Sequence, residues 1–427
     1  MVVHKSMIFF SLHYPFHFTD SYLDEEINEL SYLFNKVIIV SANTFSEETR
    51  PIPANAVVYR YTPCTDIRTR IRSLSLIINP AFYQSMGRIL FRDKMMPGIP
   101  VLKELFAFYA RAAATEEFIE KVIWEQQLDT SSMLIYTYWM IESSLAAVLL
   151  KQRNPAIKVI SRAHSQDVYF ARSPVKYHPF RKYIFERLDH LYFISANAMN
   201  YFIKRHGITD QEKGRISISR IGIHSSNAYL PKQPSGIFRL VSVAYIQRIK
   251  RVDLIIDALA LIDDIKIEWY HAGHSNKSHN DFEAIQQYAA KKLSGKKNIS
   301  FSLLGKTGKE ELFKLYATKE FDCFINVSET EGIPVSMMEA MSYSVPVIGS
   351  NVGGVSEIVE HERNGYLLSP YPNATEVANT ILKFARLSQE QRETFRKNAY
   401  TTWNTKYNAA KNNIAFVESV TTVIENQ

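Results

Sequence analysis

Short apolar runs alternate with helical patterns along this chain, and the alternation starts twice. The first series reads Met7 to Leu12, a helical pattern at Ile27, Leu30, Leu33 and Phe34, then Val37 to Ser41. It continues with Leu134 to Trp139, a helix through Leu150, Lys158 to His164, a helical stretch from Pro179, and Leu191 to Ser195. After the turn-rich stretch PKQPSG at Pro231 the pattern restarts: Phe238 to Ile246, a helix from Val252, Ile265 to Gly273, and a helix near Phe282 to Leu293. Ile299 to Gly305, a helix from Glu310, Phe321 to Ser328, a helix around Met338, Val345 to Ser350 and Gly365 to Ser369 complete it. Near-continuous apolar strands separated by helices belong in parallel sheets covered on both faces. The expectation is α/β: two successive doubly wound domains, 1–230 and 231–400, followed by a helix in 401–427 that crosses back to the first. A length of 427 residues suits two hydrophobic cores better than one. Ligands of such sheets lie beyond the carboxyl ends of the strands, so a site in a cleft between the two domains is expected.

Composition narrows the function classes. No apolar run approaches the ~18 residues of a membrane-spanning helix; Leu145 to Leu150 is bracketed by Glu142 and Lys151. The opening residues lack a sustained apolar stretch and a small-residue cleavage site, so no secretory leader is expected. Two cysteines, Cys64 and Cys323, make no disulfide framework, and a cytoplasmic location follows as the expectation. The formal net charge of +7 is concentrated before Leu230. Arg60, Arg68, Arg70, Arg72, Arg88, Arg92 and Lys94, set against Asp66 and Asp93, are interleaved with Ile71, Leu74, Ile77, Ile78 and Phe82. That mixture suits either an anionic membrane surface or phosphate-rich ligands, or else a solvated helical face with its own core stripe. The loop after the first strand, SLHYPFHFTDS, contains no glycine, and no Walker phosphate loop is present, which disfavours an NAD enzyme or an NTPase.

The chemistry concentrates in Phe324 to Val359, which reads strand, loop, helix, strand, loop. Glu331 ends the first loop and Glu339 follows eight positions later within the helix. Gly332 permits close backbone approach, Ile333 and Pro334 lead into the helix, Pro334 suits a first helical turn, and the open amides of Val335 and Ser336 would face a ligand anion. With the strand at Pro346 to Ile348, Gly353-Gly354 and Glu357, this segment resembles the donor-site motif of retaining glycosyltransferases of family 4. The resemblance implies the GT-B fold, two Rossmann-like domains facing across a cleft. It further implies that Glu339 holds the ribose of a nucleotide and that Glu331 meets the donor sugar, roles in which a carboxylate accepts two hydroxyl hydrogen bonds.

Two more stretches carry the same resemblance. Val241 to Ile256, VSVAYIQRIKRVDLII, places Lys250 where the family has its pyrophosphate-binding lysine, but Tyr245 stands where it has an arginine; Arg248 or Arg251 would have to compensate. Ser161 to Arg172, SRAHSQDVYFAR, resembles a stretch of capsule and polysaccharide glycosyltransferases that puts His164 beside the reacting sugar, with Asp167 nearby on the acceptor side. Asp20, in Tyr14 to Ile27, matches the acidic position of the first loop, although the usual glycine is missing.

The resemblance implies a retaining, metal-independent hexosyltransferase: a UDP-sugar donor as substrate, no cofactor, no metal, and a glycan or polyprenyl-linked saccharide acceptor in surface polysaccharide biosynthesis. It implies work at the inner face of the cell membrane, with peripheral anionic contact and no nucleic acid. Two alternatives stand beside it, a nucleotide-sugar epimerase of the same architecture and a non-catalytic glycan-binding or assembly subunit.

Overall fold

The computed structural model describes residues 4–16, 23–42, 49–63, 67, 71, 74–92, 98–225, 229, 231–232, 235–275 and 279–425. The chain divides into two compact units, Met1–Ile221 with Ala410–Gln427, and Gly222–Ala409. The boundary falls nine residues before the one expected from the turn-rich stretch at Pro231.

The first unit holds a seven-stranded parallel sheet in the order β3-β2-β1-β4-β5-β6-β7. The strands are β1 His4–Ser11, β2 Phe34–Ser41, β3 Ala56–Arg60, β4 Met133–Thr137, β5 Lys158–Ala163, β6 His190–Phe193 and β7 Ile216–Ile218. Successive side chains leave a strand on opposite faces. Ile8, Ile38, Ile135 and Val159 therefore enter one buried cluster, while Met7, Phe9, Ile39, Tyr136 and Ile160 enter another. That second cluster is completed by Phe416, Val420 and Ile424 from the helix Ala409–Glu425, and Tyr192 Oη hydrogen-bonds Ser419 Oγ at 3.0 Å.

The second unit holds six parallel strands in the order β10-β9-β8-β11-β12-β13: β8 Phe238–Val243, β9 Ile267–Ala272, β10 Ile299–Gly305, β11 Cys323–Asn326, β12 Val347–Ser350 and β13 Gly365–Leu368. Its two faces bury separate clusters, one around Leu240, Trp269 and Ile348, the other around Val241, Phe324, Met337 and Trp403. In both sheets the connections reverse direction beside the first strand of the unit, β1 or β8, and such a switch point opens a crevice at the carboxyl ends of the strands.

Several elements depart from the pattern read in the sequence, the edge strands β3 and β7 among them. Phe34 begins β2, and the helix ahead of it stops at Ser31. The longest helix, Ile99–Glu125, was not anticipated. Pro100 in its first turn fits a helix start. Its apolar residues include a run of small alanines at 112–114, which forms no narrow stripe. Among the described residues, no helix is long and apolar enough to cross a membrane.

Candidate functional site

In the second unit, the residues singled out from the sequence occupy the loops that leave β8, β11 and β12. Beyond β8 the chain makes a 3-10 turn at Arg248–Lys250 and passes through Arg251 in the left-handed region (φ 49°) into the helix Val252–Ala260. Lys250 Nζ lies 2.7 Å from Glu331 Oε1, so the cation and the carboxylate drawn from separate stretches meet directly. Asn326 Nδ2 donates to the same oxygen at 3.0 Å, and Asn326 Oδ1 accepts from Ser328 N at 2.9 Å. The two loops are also joined through their backbones, Glu329 N to Ile249 O at 2.8 Å. Asn326, the last residue of β11, thus fixes the orientation of Glu331 and was not anticipated from the sequence.

The two arginines offered in place of Tyr245 differ in availability. Arg251 is committed to the fold: Nε donates to Val327 O at 2.7 Å and Nη2 approaches Ser350 Oγ at 3.4 Å. Arg248 is exposed on its turn, as is Tyr245. Arg248 is therefore the one of the two arginines whose head group lies open to an arriving anion.

The loop after β12 lies against the Glu331-Gly332 backbone. Gly353 has φ +55°, and a Cβ there would stand 1.9 Å from Glu331 O; one on Gly354 would stand 2.4 Å from Gly332 O. Gly354 N donates to Gly332 O at 2.7 Å. The close approach expected at Gly332 is thus made possible from the opposite side, by the Gly353-Gly354 pair.

Pro334 is the N-cap of the helix Val335–Ser342, one position earlier than the first-turn place expected for it. The amides of Val335 and Ser336, ahead of Met337 N to Pro334 O at 3.2 Å, belong to the helix end that has no intrahelical acceptors. Ile333 and Ser336 are half-buried, and the helix is anchored by the buried Met337, Met338 and Met341. Glu339 is half-buried too; burial raises its carboxyl above the ordinary range, with Lys309 acting in the opposite sense. The hydroxyl of the buried Tyr316 feels the Glu339 charge, which together with burial pushes its own titration well up.

In the first unit, His164 follows β5 and is only 4% exposed. Its ring stacks on Trp139 with centroids 4.1 Å apart and packs against Tyr138 at 4.7 Å. Burial, with Arg162 close by, lowers its pKa to about 3, so the imidazole is neutral at physiological pH. Its Nε2 is buried with no hydrogen-bond partner among the described residues. Arg162, itself buried, is held by Glu26 Oε2 at 2.6 Å and by Ser219 Oγ at 2.8 Å.

Asp167, expected on the acceptor side, has its carboxylate committed to backbone amides. It is buried; Oδ2 accepts from Met140 N at 2.7 Å and Oδ1 from His164 N at 2.6 Å, which makes it a positioning residue for the loops carrying Trp139 and His164. Burial raises its pKa to about 6 against the opposing pull of Arg181 and these amides. Asp20 lies outside the described residues, as do Arg68, Arg70, Arg72 and Lys94 of the basic segment. Among the described residues, no three His, Cys, Asp or Glu side chains are grouped to hold a metal ion.

Comparison with known proteins bears on this geometry. Residues 232–402 match the family "Glycosyl transferases group 1". The chain is similar to the uncharacterized glycosyltransferase MJ1178 of Methanocaldococcus jannaschii, 26% identical over 74% of this chain and 82% of that protein. It is also similar to the amylovoran biosynthesis glycosyltransferase AmsK of Erwinia amylovora, 31% identical over 41% of this chain and 42% of AmsK. Its fold is similar to that of Anabaena Alr3699/HepE, solved in complex with UDP and glucose, with a TM-score of 0.60 at 15% identity over 98% of this chain and 100% of HepE. Two Rossmann-like parallel sheets are the GT-B fold, which this structural neighbour shares.

Proposed function

Residues 232–402 form a domain of the glycosyl transferases group 1 family, and from that premise we propose that this chain is a retaining, metal-independent hexosyltransferase. Its donor is a UDP-sugar, and its acceptor a glycan or lipid-linked saccharide in surface polysaccharide assembly. The observation that carries this reading is the junction of Lys250, Glu331 and Asn326 at the foot of the helix that bears Glu339. It joins a cation and a carboxylate from two loops at the carboxyl end of one sheet, next in sequence to the helix that carries Glu339.

The departing diphosphate develops negative charge, and fixed donors stabilise that charge without reorganisation. Lys250, the exposed Arg248 and the amides of Val335 and Ser336 supply them. Lys250 pairs with Glu331 at 2.7 Å. An arriving diphosphate competes for that ammonium and releases Glu331 toward the sugar hydroxyls. Glu339, half-buried, accepts from the ribose diol. In the first unit, His164 acts as a neutral hydrogen-bonding group beside the transferred sugar, since a pKa of about 3 makes it a poor proton acceptor. The names of AmsK and HepE's ligands support polysaccharide assembly and a UDP-sugar respectively.

Attachment to an anionic membrane surface completes the proposal. Ile67, Ile71, Leu74, Ile78 and Phe91 are all more than half exposed, close in sequence to the basic residues of the same segment. Apolar side chains beside cations are the combination that binds such a surface.

The test is to incubate the chain with a panel of UDP-hexoses and UDP-N-acetylhexosamines in EDTA, with and without a polyprenyl-linked saccharide, and to read the product anomer by NMR. Acceptor-dependent UDP release with an α-linked product from an α-configured donor is expected. Free UDP without any acceptor, accompanied by an epimerised sugar, would replace this reading with an epimerase.

A further inference from the structure

A groove of about 640 Å³ lies at the amino end of β4 in the first sheet. It forms where the helix Ile99–Glu125 ends, just before β4 starts at Met133, and it is bordered by the end of the helix Glu142–Arg153. Ligands of doubly wound sheets gather at the carboxyl ends of the strands, so this groove, at the amino end of β4, is no part of that crevice.

Its most prominent wall is Trp124, 80% exposed. The other three tryptophans are far less accessible; Trp269 and Trp403 are essentially buried and Trp139 stacks on His164. Ile123 and Leu128 are half-buried beside it, and the buried Leu150 contributes to the lining. Trp124 with Ile123 and Leu128 offers one apolar face with a polar indole N–H at its rim.

The polar lining says what kind of ligand fits. Both carboxylates already have partners: Glu120 lies 2.8 Å from Arg153 Nη1, while Glu125 lies 3.5 Å from Lys121 and accepts from Tyr59 Oη at 3.2 Å. The remaining groups are neutral, the amides of Gln127 and Asn154 and the hydroxyl of Thr130. Phosphates and nucleic acids need surplus cations, and the lining residues contribute none. A sugar ring stacks its C–H face on an indole and exchanges hydroxyl hydrogen bonds with amides, and this groove offers both. Its open form would let a chain of several sugars pass through.

We propose that the Trp124 groove is a secondary binding site for a neutral glycan chain, separate from the donor site. It would keep an oligosaccharide on the protein while the donor site turns over. The glycan contacts belong to the groove itself, while the purpose of retention rests on the proposed transferase function.

The experiment is calorimetric titration of the full chain with three neutral hexasaccharides: maltohexaose, cellohexaose and N-acetylchitohexaose. At least one is expected to bind the wild type, with the affinity falling about tenfold in Trp124→Ala, falling less in Gln127→Ala, and largely kept in Trp124→Tyr, which retains a stacking ring. UDP affinity should be the same in all four proteins, which reports an intact fold and separates this site from the donor site. If Trp124→Ala fails to fold, the Tyr and Gln127 variants carry the comparison. Absence of binding by all three sugars, or equal binding by wild type and folded Trp124→Ala, overturns the proposal. Loss of self-association in Trp124→Ala, with no sugar bound, would show a protein interface instead.

Discussion

Lys250 and Glu331 pair at 2.7 Å, and that pairing makes the two separable by experiment. In Glu331→Gln the amide keeps the shape but frees the ammonium, so UDP affinity is expected to hold or rise while turnover falls; loss of UDP affinity in a folded variant would contradict the placement. Glu339→Ala should behave oppositely. It removes a charged acceptor worth on the order of 1.5–3 kcal/mol, so UDP should bind about ten- to a hundredfold more weakly by calorimetry. His164 makes a pH prediction. Its native pKa of about 3 lies below the ordinary ~6.5 of an unfolded histidine, so the unfolded chain takes up the extra proton as the pH falls through that window. Stability is therefore fully present above about pH 6.5 and is lost toward pH 3, and the urea midpoint should fall less steeply with acidification in His164→Gln than in the wild type. The kcat profile should show no limb near 6.5 that this substitution removes. Lys250 and Glu331, which meet in the structure, could be singled out, like Glu339 and His164, because each is a distinctive group within a patterned stretch. Asn326 and Trp139 were not, since an amide at a strand end or an indole after a strand resembles an ordinary structural residue until the fold brings it against its partner.

At the level of elements, the strands were legible because burial on both faces leaves uninterrupted apolar runs. β3 escaped because Ala56 to Arg60 form an edge strand, half-exposed and only weakly alternating. The helix Ile99–Glu125 escaped because its alanine-rich surface carries no narrow apolar stripe. The Gly353-Gly354 loop was legible as a motif, but its physical reason appears only in contact with Glu331. Gly353→Ala puts a methyl 1.9 Å from Glu331 O at a φ of +55°, whereas Gly295→Ala meets nothing within 4 Å. Backbone strain of this kind costs about 1–3 kcal/mol. Gly353→Ala is therefore expected to weaken UDP binding and lower the melting temperature, while Gly295→Ala leaves UDP binding unchanged. The exposed apolar segment gives a further test: Ile71→Ser with Ile78→Ser and Phe91→Ser should reduce co-sedimentation with anionic liposomes, which should itself weaken as salt approaches 1 M, without altering UDP affinity. Equal binding to neutral vesicles, or none to either kind, would return the segment to a solvated face.

Across the whole molecule, the last helix belongs to the first unit although it follows the second in sequence. Phe416, Val420 and Ile424 are at most 5% exposed there. Burial of such side chains contributes about 1.5–3 kcal/mol each, so a chain ending at residue 408 is expected to lose the first unit's cooperative unfolding transition, read by calorimetry, while the second unit keeps its own. We propose for the second unit a UDP-sugar site, built on Lys250, Glu331 and Glu339, that works without a metal ion. It is tested most directly by titrating UDP into the full chain in EDTA, wild type beside Lys250→Ala. Binding by the wild type, weakened about tenfold or more in the folded variant through loss of a charge-assisted contact to the diphosphate, is the predicted result. Strict dependence on manganese or magnesium, or equal affinity in the two proteins, would contradict it.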